Sequence, residues 1–298
     1  MGSYAKAMLA AALVVGLSTP ALAANSDWVQ VAAAMGKPGT VMPGGIYRIS
    51  LPRTDLKATL DGVALKPAFA LGGWLAFEKM GARAMVMGDL VLTQSEINPV
   101  MSKLFASGIE VTALHNHLLR NQPFTMYLHV FGEGDPVKLA TALHNALAES
   151  RTPLSAAASG SSQSPPAPVL DIAAIDRILG AKGKNAGGVY QFSFPRAEPI
   201  RENGMAVPPA LGVATGINFE PTGGGKAAIT GDFVLIGREV NPVAKALREH
   251  GIEVTAVHNH MLGEEPRLFF MHFWAHDDAQ KLAEGLKAAL ANVNVKKG

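Results

Sequence analysis

His115-Asn116-His117 and His258-Asn259-His260 are one triplet occurring twice, and each is followed twelve residues on by a further histidine, His129 or His272. Every member is displaced from its twin by 143 residues. Neutral imidazole offers a nitrogen lone pair near pH 7, so three that converge can hold a transition metal, whereas a lone one serves as an acid, a base or a hydrogen-bonded structural group. In a β-strand alternate side chains share a face, which puts the Cα atoms of His115 and His117 about 7 Å apart and lets both rings reach one ion. Strict alternation back along IEVTALHNH adds Ile109, Val111 and Ala113 to that face and sends Glu110, Thr112 and Asn116 to the other. The third histidine joins if the hairpin register sets His115 opposite His129, and a slip of one residue turns it away.

The expected metal ligands are therefore His115, His117 and His129 in one half of the chain and His258, His260 and His272 in the other, one cluster in each. Imidazole and carboxylate without sulfur suit zinc, copper(II), iron(II) or nickel and disfavour magnesium and calcium. Met126 and Met271 stand beside the third histidines, but neighbouring Phe and Leu make core packing the better reading of both. Acidic residues repeat as well: Asp89 and Asp232, Glu96 and Glu239, Glu110 and Glu253. Glu96 and Glu239 are the expected proton-handling catalytic residues or further ligands, because each precedes an Asn-Pro helix start without being needed to cap it. Asp89 follows, since Asp is disfavoured within a strand unless something pairs with it. Glu110 falls on the outer strand face, and Arg53 and Arg196, each after a proline, read as structural.

The elements that must position these residues can be read twice. Between Gly88 and His117, 18 of 30 residues are identical to those between Gly231 and His260, so the chain is a duplication. Each copy runs from a short helix (28–35; 172–179) through a strand after a Gly-Gly pair, a variable middle segment and a strand near Asp89 or Asp232. A helix starting at Asn98-Pro99 or Asn241-Pro242 follows, then the histidine hairpin and a closing amphipathic helix (137–148; 279–290). The fold class is α+β: two tandem homologous modules, each a mainly antiparallel sheet with helices on one face, ferredoxin-like being the nearest named arrangement. The modules span 25–150 and 170–295 and are expected to pack on one another. The segment 151–169, RTPLSAAASGSSQSPPAPV, has no apolar period and reads as a linker.

The chain has 298 residues, a net charge of +2 and no cysteine, which leaves no basic stripe for nucleic acid and no thiolate chemistry. Residues 1–23 read as a secretory signal, with Lys6, an apolar run from Ala7 to Leu17 and the small-x-small site Ala21-Leu22-Ala23. A periplasmic or secreted protein without stable membrane insertion after cleavage is expected. Gly88-Asp89, Glu96-Ile97-Asn98-Pro99 and the Gly-Ile-Glu-Val-Thr-Ala run before His-Asn-His resemble the LppY/LpqO family of exported proteins of unknown function, over both modules. That resemblance implies export and carries no catalytic residues. A cupin reading rests on Glu264 after His258 and His260, but Asn121 breaks it in the first copy and the helices disagree with an all-β barrel. Three functions fit: metal-dependent catalysis, a metal carrier or sensor, and a metal-free module binding a small molecule or an envelope protein.

Overall fold

The computed structural model describes residues 28–155 and 169–296, so the expected signal segment and most of the linker lie outside the described residues. The first module holds α1 (Val29–Met35), β1 (Thr40–Val41), β2 (Tyr47–Pro52), β3 (Thr59–Leu60), β4 (Val63–Ala64), α2 (Pro67–Ala70), β5 (Gly72–Met80), β6 (Arg83–Thr93), α3 (Gln94–Ala106), β7 (Glu110–His115), β8 (Thr125–Gly134) and α4 (Pro136–Leu147). The second follows this order, with a 3-10 turn (Pro209–Leu211) in place of α2 and β16 added: α5 (Ile172–Leu179), β9 (Lys184–Ala186), β10 (Val189–Pro195), β11 (Arg201–Glu202), β12 (Met205–Ala206), β13 (Ala214–Gly223), β14 (Lys226–Ile236), α6 (Gly237–Glu249), β15 (Glu253–His258), β16 (Glu264–Glu265), β17 (Leu268–Asp278) and α7 (Ala279–Leu290). Each module builds a six-stranded sheet, ordered β1-β2-β5-β6-β8-β7 and β9-β10-β13-β14-β17-β15. All described pairings are antiparallel. In the first sheet β8 lies between β6 and β7, which α3 connects, and β5 from upstream borders β6, so the strand order does not establish the ferredoxin-like arrangement expected as nearest.

Side chains alternate across each sheet, and both faces are apolar. One face of the first sheet, with Leu75, Phe77, Val86 and Val130, is covered by Val31 and Met35 of α1, Leu104 of α3 and Leu143 of α4. The equivalent face of the second sheet packs on α5, α6 and α7. The opposite faces bury each other: Ala76, Met85, Met87 and Phe131 of the first module share one cluster with Val213, Val234, Leu268 and Phe270 of the second. The layers run helix, sheet, sheet, helix, and the modules pack together as expected.

The bulge that shifts the register decides which way the histidines point. Val111 pairs with Val130 while Ala113 pairs with His129, leaving Thr112 as an extra residue, and the second module repeats this at Thr255 between Val254–Phe273 and Ala256–His272. Strict alternation therefore fails within the strand. Ile109 and Val111 face the helices, whereas Ala113 and His115 face the other module. His115 stands opposite Tyr127, two residues from His129, so the third histidine shares its face as convergence requires. Met271 lies in the helix-side core.

Glu96 and Glu239 stand elsewhere. The third helix begins at Gln94, a turn before the expected Asn98-Pro99 start, and Pro99 lies inside it. Glu96 is thus the third helical residue, and its carboxylate caps the helix by accepting from Thr93 N at 2.8 Å. It also accepts from Arg151 N at 2.9 Å and from both terminal nitrogens of Arg53 at 2.8 and 3.1 Å. Arg53 is 1% exposed and bonds Asp55 and Val91 O as well. Glu239 repeats the pattern with Ile236 N, Asn294 N and Arg196. The expectation that this glutamate is free of the cap is overturned. Removing one partner of a buried ion pair leaves the other uncompensated, so Arg53→Met should cost about 3–5 kcal/mol in urea unfolding. Metal bound per folded molecule should not change, and a parallel loss of metal at unchanged stability would put Glu96 back at the histidines.

Candidate metal centre

The two bulge threonines carry the contact between the hairpins. Thr112 donates its hydroxyl to His260 O at 2.6 Å, and Thr255 donates likewise to His117 O. Asn116 donates from Nδ2 to Thr255 O at 3.1 Å, and Asn259 to Thr112 O at 3.3 Å. Each bond has its mate, as an approximate two-fold relation between the modules requires. The central Asn of the triplet does point away from its histidines, and it reaches the other module's backbone.

That contact brings the six histidines into one group. His115 stacks on His258 with ring centroids 3.4 Å apart, while His117 on His272 and His129 on His260 are each separated by 3.7 Å. Tyr127 backs His117 at 3.3 Å and Phe270 backs His260 at 3.5 Å, again as mates. Ring nitrogens of His115, His258, His260 and His272 lie within 4.8 Å of one another, as do those of His115, His117 and His129. His115, His117 and His129 group within the first module as expected, while His258, His260 and His272 are joined by His115 of the other module, so His115 links the two sets.

Rings stacked this closely cannot all be cations. Burial, reinforced by neighbouring imidazoles, pushes His115 down to about 3 and holds His117, His129, His260 and His272 well below the ordinary 6.5. Burial also lowers His258 to about 4. The Nδ1 atoms of His115, His258 and His272 sit 3.2, 3.1 and 2.8 Å from the carbonyls of Asn116, Asn259 and Gly231. A carbonyl only accepts, so Nδ1 carries the proton and Nε2 presents its lone pair. All six Nε2 atoms are buried without a hydrogen-bond partner.

Asp89 and Asp232 join them because they pair across the sheet with His129 and His272. Asp89 lies 3.8 Å from both His117 Nε2 and His129 Nε2, and Asp232 lies 4.0 Å from His260 Nε2. These gaps are too long for hydrogen bonds. They suit two ligands sharing an ion, since donors about 2.0–2.2 Å from one metal stand roughly 3.4–4 Å apart. One oxygen of each aspartate is buried without a partner, and burial lifts Asp89 to about 7 and Asp232 well above its ordinary value. The sequence pointed to these residues through an acidic side chain inside a strand but ranked them behind the glutamates. Glu264, the residue behind the cupin reading, is bonded to Leu268 N and Arg267 instead.

The cluster has two approaches related by the approximate two-fold, and they differ. A cavity of about 300 Å³ reaches His117, His272, Asp89 and Asp232. Its counterpart beside His129 and His260 measures about 10 Å³ and is lined by Trp74, Met87 and Gly212.

Among solved structures, the trimeric bacterial microcompartment shell protein PduB is 16% identical, with 85% of this chain and 92% of that chain covered at a TM-score of 0.20. EtuB from Clostridium kluyveri is 9% identical, with 85% and 90% covered at 0.19. Likeness this loose carries neither fold nor function across. No curated protein matches. One family model matches twice, over residues 29–149 and 173–292, and the chain belongs to the family described as Domain of Unknown Function (DUF1259).

Proposed function

We propose that the protein binds a transition metal at one composite centre built jointly by its two modules. The observation that carries this reading is the set of six Nε2 atoms and two carboxylate oxygens, buried together without hydrogen-bond partners. Leaving a buried polar atom unsatisfied costs about 1–3 kcal/mol. Eight such atoms in one place are a large deficit that coordination removes. Six nitrogens and two carboxylates suffice for two four-coordinate ions, and zinc, copper(II), iron(II) or nickel fits that donor set. The paired histidine His117–His272 edge beside the larger cavity favours metal-dependent catalysis over a closed carrier site, since a small molecule can approach there. The ion would supply Lewis acidity or an activated water, while the protein fixes the imidazoles and shields them from bulk solvent. Glu96 and Glu239, held by arginines, support catalysis in this reading only by anchoring the helices that precede β7 and β15.

Export belongs to the same proposal. Its support is the Lys6, Ala7–Leu17 and Ala21-Leu22-Ala23 pattern together with the likeness of the repeated motifs to the LppY/LpqO family. A periplasmic or secreted site exposes the centre to scarce extracellular metal, which a buried, neutral donor set is suited to capture.

Elemental analysis tests the central reading. Chain stripped with chelator, reconstituted separately with zinc, copper(II) and iron(II) and then desalted, should retain one to two ions of at least one of them per molecule. Retention of none would overturn it.

A second expectation concerns acid. Histidines lowered in the fold stay neutral there while the unfolded chain protonates near 6.5, so they make the metal-free protein less stable as pH falls from about 6.5 toward 4. Asp89, neutral in the fold below about 7, and Asp232, whose carboxyl burial holds well above its ordinary value, act oppositely because both ionise when unfolded. Six histidines outweigh two aspartates, so the thermal midpoint of the metal-free chain should drop across that window. Zinc should raise the midpoint at pH 7, and the gain should shrink on acidification because the ligands must be deprotonated. A midpoint that is flat from pH 7 to 4.5 would contradict the buried neutral cluster.

A further inference from the structure

The duplication has diverged around the cluster in a way that identifies a ligand site. Three matched positions differ. Where the first module has Trp74 the second has Gly216, each being the residue paired with the site aspartate, Asp89 or Asp232; the Trp74 ring lines both mouths, whereas Gly216 lines the large one. Where the small mouth has Met87 the large one has Thr230, each immediately before the glycine that opens the Gly-Asp pair. On the adjoining strand Arg48, paired with Ala76, corresponds to Gln191, paired with Asn218, and both line the large cavity. Trp74 closes its own mouth by resting against Gly212, where a Cβ would meet the indole at 2.8 Å. At Gly216 an added Cβ meets nothing within 4 Å.

We propose that the large cavity is the binding site for a small organic anion, with Arg48 as its anchor and the aromatic residues Phe69, Trp74 and Tyr127 as its apolar wall. This rests on the metal reading only for the position of the cluster at the cavity's inner end. Arg48 stacks its guanidinium 4.0 Å over the Trp74 ring and donates to Ala210 O at 2.7 Å. No described carboxylate lies within ion-pair distance of it. A guanidinium has five N–H donors in a planar fork, so it can bond Ala210 and still grip a carboxylate. Asp89 attracts Arg48 only from beyond ion-pair distance, so the guanidinium keeps donors free toward the cavity that it lines. About 300 Å³ is at the lower end of ligand cavities, which limits the guest to a single ring or a short chain.

Sodium benzoate is the probe, titrated calorimetrically into the full chain with and without zinc. Saturable binding of one benzoate per chain is expected. Arg48→Gln, which installs the second module's residue, should weaken it at least tenfold. Gly216→Trp, which installs the first module's residue, should abolish it, with a wild-type circular dichroism spectrum showing that the chain still folds. Absence of benzoate binding to the wild type in both metal states would overturn the anion site, as would binding unaffected by Gly216→Trp. Binding that persists in a protein that takes up no metal would uphold the cavity and sink the metal centre, so the two failures are separable.

Discussion

Each sheet has two apolar faces and enough helices for one. That constraint organises the molecule: the uncovered face of each module has to be buried, and among the described residues it is the twin module that covers it. Burial of a large apolar side chain contributes about 1.5–3 kcal/mol, so the shared cluster of Met85, Met87, Phe131, Val234, Leu268 and Phe270 binds the modules firmly. Polar groups on these faces are then drawn into a dry interior whether or not they have partners. The threonine and asparagine side chains find backbone carbonyls on the opposite hairpin. The imidazole Nε2 atoms do not.

Backbone geometry converts this packing into a site. One extra residue at Thr112, and again at Thr255, reverses the facing of everything that follows it in the strand. Ile109 and Val111 stay under the helices while His115 turns to the interface. Without the bulge the register of the hairpin would force the histidines into the helix-side core, where stacking on the twin set is impossible. The bulge residue then secures its own geometry by donating to the facing module, so the feature that aims the histidines also holds the two sets together.

Much of this was legible in the sequence. The duplication, the α+β class and the six histidines follow from identity at one offset and from periodicity, because repeats and chelating spacing are local properties. The helix start was misplaced because Asn-Pro is so good a cap signal that Thr93 and Glu96, one turn earlier, went unread as the real one. The bulge was invisible since a single inserted residue leaves the apolar pattern IEVTA looking like a regular strand. Composite assembly was harder still: alternation tells which residues share a face, but nothing in either copy says that the face will meet its twin. Arg48 and Trp74 escaped notice for the opposite reason, as they are the positions where the copies differ.

The shared centre is tested most directly by anomalous diffraction from crystals of the zinc-loaded chain, collected on both sides of the zinc edge. Zinc peaks should lie at the ring edges beside the Nε2 atoms, with at least one ion liganded by histidines from both modules. Peaks confined to His115, His117 and His129 or to His258, His260 and His272 separately, with no ion bridging the two sets, would contradict a composite centre.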